Sequence, residues 1–337
     1  MTIDHLAALS LLRDLSRSDL TQRLQADDPE LREIAAPLLD RAAALRARAA
    51  SMAVHFLPWN DASFPAALLA IPDCPPGLWF RGALTPLVAP CVAVVGSRAG
   101  SPAALATARQ LATDLAASGI TVVSGLARGV DSAAHQGALR TGTTVAVLGS
   151  GHGRIYPPEH RGLSDEIART GAVLSEYPPD VEPLAFHFPL RNRIISGISR
   201  AVVVIEASER SGSLITASCA LQQGRDVMVV PGAVPGGRNT GGHALIRDGA
   251  TIVEGAADVL AELGLPAALA GADGSRCAVS TSVDPLLSRM EVGRAYDLDS
   301  LAAEAGVSVP RLLVRLSRLE LDGRVRRDGA GRFMRAS

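Results

Sequence analysis

Residues 91–125 run CVAVVGSRAGSPAALATARQLATDLAASGITVVSG. An unbroken apolar run, Cys91–Val95, stops at Gly96. Residues with helical spacing follow, and a second apolar run, Ile120–Val123, stops at Ser124-Gly125. A strand with one face in water alternates apolar and polar residues. These runs do not alternate, so they read as strands buried on both faces. Such strands separated by a helix build a parallel sheet with helices on either side. Working outward, TVAVLG (144–149), AVLSEYP (172–178), AVVVIEAS (201–208) and DVMVVPG (226–232) repeat the pattern. We expect an extended Rossmann-like α/β domain over 56–265, its sheet occupying roughly 91–264.

The flanks read differently. Leu6, Leu9, Leu12 and Leu15 recur at helical spacing, and Pro29 and Pro37 punctuate, so 1–55 is expected to be a small helical, SAM-like domain. A proline-rich connector, including IPDCPPGLWFRGAL (71–84), leads into the sheet. Residues 266–282 are small and polar and read as a linker. From 283 to 337 come three helical patterns, PLLSRM, DSLAAEAG and VPRLLVRLSRLELDG, then a glycine-turned hairpin, GRVRRDGAGRFMRA. That is the winged-helix order, and we expect this domain to be separable and secondary.

With 337 residues, 47% hydrophobic and 20% charged, the chain has material for two or three globular domains. The formal net charge is -1, so no global field attracts a polyanion; any such site must come from local clustering. All 33 basic residues are arginine, whose planar fork grips phosphate bidentately or stacks on a base. The cysteines, Cys74, Cys91, Cys219 and Cys277, form no C-x-x-C pair, which argues against zinc or a disulfide framework and suits a reducing cytoplasm. No signal-peptide pattern or long uncharged apolar stretch is visible, so no membrane association is expected.

In an open parallel sheet, ligands bind beyond the carboxyl ends of the strands. The first strand ends in Gly96-Ser97-Arg98: glycine admits close backbone approach, serine donates a hydroxyl, and arginine clamps an anion. The same residues equally suit an ordinary turn with a surface arginine. Arg128 sits between Gly125 and Gly129 at the second strand end. There Asp131 reads as a helix cap and His135 as a packed core histidine. Gly149-Ser150-Gly151-His152-Gly153 suits either an anion nest or a tight loop. Phe186 and Phe188 beside Arg191 and Arg193 interleave rings and cations, as a sequence-tolerant single-strand site requires. Arg191 and Arg193 lie on different faces of a helix, so one is expected to be structural. Ser211-Gly212-Ser213 opens a helix and makes a phosphate seat. One of the nearby Glu206 and Glu209 should pair with an arginine. From 188 to 247 seven arginines face three carboxylates, an asymmetry that favours a polyanion.

Taken in order, GSR (96–98), SGLARGVDSAAH (124–135), FPLRNRIISGIS (188–199), the stretch 202–232 and GGHALIRDGA (241–250) resemble the DNA-processing protein A (DprA/Smf) family. The resemblance covers roughly 60–260. It implies an extended Rossmann fold, a homodimer through that domain, and single-stranded DNA binding. It also implies loading of the RecA recombinase onto DNA during natural transformation, with no cofactor or metal. Carried over by position, Ser97, Arg98, the Phe186–Arg193 segment and Ser211–Ser213 are the implied contacts. His243 stands where the family commonly has asparagine. A related Rossmann-like group, the nucleotide phosphoribohydrolases, carries P-G-G-x-G-T-x-x-E. Here Ala233 follows Pro231-Gly232, so we expect a binder rather than an enzyme. A winged-helix regulator is the other alternative. Arg311, Arg315 and Arg318 would serve it, on a helix that also carries Leu312, Leu313, Leu316 and Leu319 as core.

Overall fold

The computed structural model describes residues 1–12, 15–265, 295–305, 309, 312, 316, 325–327 and 332–335. The expected linker (266–282), the PLLSRM helix and Arg311, Arg315 and Arg318 lie outside the described residues. The chain divides into two compact units, Met1–Ala272 and Asp273–Ser337.

Four short helices open the first unit: α1 (Ile3–Leu9), α2 (Arg17–Gln25), α3 (Glu30–Ala35) and α4 (Leu39–Ala50). Then come β1 (His55–Pro58), α5 (Ala66–Leu69), β2 (Gly77–Gly82), β3 (Cys91–Gly96), α6 (Pro102–Ala117) and β4 (Thr121–Ser124). The alternation continues with α7 (Val130–Ala138), β5 (Thr144–Leu148), α8 (Arg161–Thr170), β6 (Ala172–Ser175), α9 (His187–Gly197) and β7 (Ala201–Ile205). It closes with α10 (Ser213–Gln222), β8 (Asp226–Val230), α11 (Thr240–Arg247), β9 (Thr251–Ile252) and α12 (Ala256–Glu262).

These strands form a nine-stranded sheet in the order β1-β2-β6-β5-β4-β3-β7-β8-β9. From β6 to β9 every pairing is parallel, and β1 and β2 add antiparallel at one edge. Strand pleating sends successive side chains to opposite faces. Val92, Val94 and Val203 pack under α6, α7 and α12. Ala93, Val95 and Val204 pack under α9 and α10 on the other side. Both sets are buried, which is why the strands read as continuous apolar runs. Among the described residues, no helix is long and apolar enough to cross a membrane.

The N-terminal helices share their core with the sheet edge. Trp79 of β2 is fully buried, meets Phe56 of β1 edge-on at 5.1 Å, and belongs to one cluster with Leu6, Leu9, Leu20, Leu31 and Leu45. The helical segment and the sheet are therefore one packed body.

In the second unit, α13 (Leu298–Ala305) accompanies a three-stranded sheet of β10 (Ala295–Tyr296), β11 (Val325–Arg327) and β12 (Phe333–Arg335), in the order β10-β12-β11. Tyr296, Leu301, Leu312, Leu316, Val325 and Phe333 form its core. Leu312 and Leu316 thus face inward, and β11 and β12 form the expected hairpin, with Arg326 and Arg332 exposed.

Truncating Trp79 empties the shared core. Trp79→Ala should lower the stability of the first unit by about 3–5 kcal/mol, read as a fall in the urea midpoint. An unchanged midpoint contradicts the shared core.

Candidate nucleic-acid interface

The strand order reverses between β3 and β7. The chain runs outward on one side through β4, β5 and β6, and on the other through β8 and β9. The turns leaving β3 and β7 therefore diverge and open a crevice at the carboxyl edge.

The turn after β3 is held from beneath. Ser97 donates its amide to the Glu206 carbonyl (2.9 Å), and Ser101 donates its amide to Glu206 Oε1 (2.9 Å). Glu206 itself adopts a left-handed φ of 49°, a cost that a non-glycine residue bears only when its surroundings enforce it. Gly96 is required here because a Cβ would lie 1.9 Å from the Ile205 carbonyl oxygen. Arg238 completes the pairing expected for one of the two glutamates, 3.6 Å from Glu206 Oε1. With its oxygens so engaged, Glu206 supports the turn.

The crevice is an open cleft of 430 Å³, lined by Gly96, Ser97 and Arg98 from the first turn, Phe188, Arg191 and Asn192 from α9, and Arg210–Ser213 before and at the start of α10. Gly212 caps α10 without a side chain, and a Cβ there would meet nothing within 4 Å, so the helix start is open. Ser211 and Ser213 share a hydrogen bond between their hydroxyls at 2.7 Å. Arg98 is exposed, and its guanidinium carbon lies 5.4 Å from the centre of the Phe188 ring. Arg98, Arg191 and Arg210 face one lining carboxylate, Asp131, so the cleft is locally cationic in a chain of near-zero net charge.

Arg191 lines the cleft but is buried, donating to the carbonyls of Gly125 (2.7 Å) and Val147. Burial pushes its pKa down to about 10, which still leaves it charged at neutral pH; Asp131 opposes the fall. Asp131, whose pKa burial raises, accepts from the amides of Gly125 (3.1 Å) and Ala127 (3.4 Å). It therefore ties down the turn ahead of α7, where the sequence pointed to a cap of the helix itself. His135 is a packed core histidine, bonded to Thr144 Oγ1 at 2.7 Å, and burial lowers its pKa to about 3.

Several candidates lie away from the cleft. Arg193 is buried in an ion-pair cluster with Glu176 (2.5 Å) and Asp73 (3.0 Å), and Arg17 of α2 joins Glu176 at 3.2 Å. It is the structural arginine of the pair. Ser150 donates its hydroxyl to the Arg154 carbonyl (2.7 Å). The amides of Gly151 and Gly153 donate to the carbonyls of Val181 and Pro179, so 149–153 is a tight loop and not an anion nest. Gly149 instead seats Phe188, whose ring a Cβ would meet at 2.7 Å. Phe186 is 59% exposed, outside the cleft. Arg128 is paired with Glu159 at 2.6 Å. Asn192, inside the implied Phe186–Arg193 segment, lines the cleft, and Arg210 is a cleft residue that the sequence reading passed over. Arg210 belongs to a quoted string, and helical spacing from Phe188 places Asn192 one turn on.

Residues 55–264 match the model of the DNA recombination-mediator protein A family, and residues 276–331 that of the DprA winged helix domain. The chain belongs to the DNA recombination-mediator protein A family. Protein Smf of Escherichia coli is 41% identical over 278 residues, covering 80% of this chain and 74% of that protein. DNA processing protein DprA of Streptococcus pneumoniae is 46% identical over 203 residues, 60% of this chain and 72% of that protein. The X-ray structure of DprA from S. pneumoniae superposes with a TM-score of 0.62 at 39% identity, covering 74% of this chain and 87% of that one. A DNA processing protein A structure from Helicobacter pylori, described for its single-stranded DNA binding mode, gives 0.56 at 29% identity, covering 62% of this chain and 95% of that one.

The two exposed-versus-buried arginines separate by stability. Arg193→Ala leaves the buried Glu176 with only the longer Arg17 pair and should cost about 3 kcal/mol, the low end for a broken buried pair. Arg98→Ala should stay within about 0.5 kcal/mol of wild type. Thermal or urea unfolding checks both, and the reverse ranking contradicts these placements.

Proposed function

We propose that the cleft binds single-stranded DNA without sequence choice. The observation that carries this reading is the pairing of Arg98 with the half-buried Phe188 ring, beside the open start of α10. An arginine and a helix N-terminus hold phosphates; a ring takes the face of any base. The cleft's lining carboxylate, Asp131, is engaged by two backbone amides, and Glu206 is committed to the turn beneath Arg98. Neither is offered as a hydrolytic base, which supports a binder over a nucleotide-cleaving enzyme. We further propose, from the family resemblance, that the chain acts in DNA processing as a homodimer through its Rossmann-like domain. On this reading it delivers the bound strand to the RecA recombinase.

At one salt concentration the full chain should bind an oligonucleotide single strand more tightly than the same sequence as duplex. Arg98→Ala should weaken binding across all sequences and flatten the salt dependence by about one phosphate contact, a log–log slope change of about 0.7. Equal affinity for the two forms, or wild-type binding by Arg98→Ala, overturns the assignment.

A further inference from the structure

The row of rings and cations does not stop at the cleft. Phe188 forms the cleft wall on one side and meets Tyr156 on the other, with ring centres 5.4 Å apart. Tyr156 is 38% exposed, and the Arg128 guanidinium carbon lies 5.8 Å from its ring centre. Arg98, Phe188, Tyr156 and Arg128 thus form one continuous strip in which two rings lie between two arginines.

The outer end of the strip is firmly mounted. Arg128 rides on the turn after β4, where Leu126 takes a left-handed φ of 59°. Both flanking amides, those of Gly125 and Ala127, are tied to Asp131. His160 Nδ1 donates to the Leu126 carbonyl at 2.9 Å. The guanidinium is held by Glu159, in an ion pair about half exposed on each side, 52% and 51%, with the Tyr156 side chain beside it as a second partner. Pairs so exposed are weak. A phosphate offers the same two-oxygen geometry as this carboxylate, and on a polyanion its binding releases counterions as well.

We propose that Tyr156 and Arg128 form a second nucleotide seat adjoining the cleft, in which Tyr156 takes a base and Arg128 exchanges Glu159 for a backbone phosphate. This rests on the single-strand reading of the cleft and lengthens it by one seat. The Glu159 carboxylate occupies the phosphate position when no strand is bound. It therefore acts as a built-in competitor and holds the arginine in place between encounters.

The test is fluorescence anisotropy of the full chain with a labelled oligothymidylate of about twenty nucleotides. Tyr156→Ala should weaken binding about tenfold, Tyr156→Phe should stay within about twofold of wild type, and Glu159→Gln should tighten binding about threefold at low salt. Glu159→Gln touches neither ring, so it keeps the test open if Tyr156→Ala fails to fold. Phe188→Ala tests the cleft reading on which the second seat rests. If Phe188→Ala loses affinity while folded Tyr156→Ala or Glu159→Gln binds as wild type, the second seat is overturned and the cleft stands. If Phe188→Ala also binds as wild type, the reading of the cleft fails with it.

Discussion

The Arg191 guanidinium reaches across the carboxyl edge of the sheet to the carbonyls of Gly125 and Val147, at the ends of two adjacent strands. A buried guanidinium without partners is costly enough to unfold a marginal domain, so these bonds and the nearby Asp131 are obligatory. They lock α9 to the ends of β4 and β5, and Arg193, two residues along, locks the same helix to Glu176 and Asp73. A helix anchored twice presents its first turn in one place. Phe188 consequently stands over Gly149 and beside Arg98. The arrangement of the cleft depends on two cations whose guanidiniums are engaged by the fold itself.

The remaining walls come from the strand order. Parallel strands aim every carboxyl-terminal turn at one edge, and the reversal between β3 and β7 parts two of them. Glu206 then carries the first turn on its own carbonyl and carboxylate. Arg98 and Arg210 stand exposed where the turns part, and no ion-pair partner is assigned to either among the described residues. A chain of net charge -1 thereby concentrates cationic character without a basic surface overall.

Much of this was legible in the sequence. Unbroken apolar runs ending in glycine or serine defined the parallel strands, because both faces of each strand are covered. Gly96-Ser97-Arg98 and Ser211-Gly212-Ser213 stood out because strand ends and helix starts are local features. Partners distant along the chain were not legible. Arg193 reads like Arg191 until Asp73 and Glu176 are placed beside it. The glycines at 151 and 153 suit an anion nest or a tight loop equally until the carbonyls of Val181 and Pro179 take their amides. Tyr156 carried no signal, since its place in the strip depends on a ring contact with Phe188, more than thirty residues away. The joining of 1–55 to the sheet rests on Trp79 and Phe56, inside a stretch that reads as a connector.

The central claim is that the strand-end cleft of the first unit, and not the C-terminal unit, holds the single strand. Amide hydrogen exchange of the full chain, with and without saturating oligothymidylate, tests it most directly. The account predicts slowed exchange at 96–101, 188–193 and 208–216, the segments that line the cleft. Protection confined to 295–335, with those segments unchanged, would contradict it.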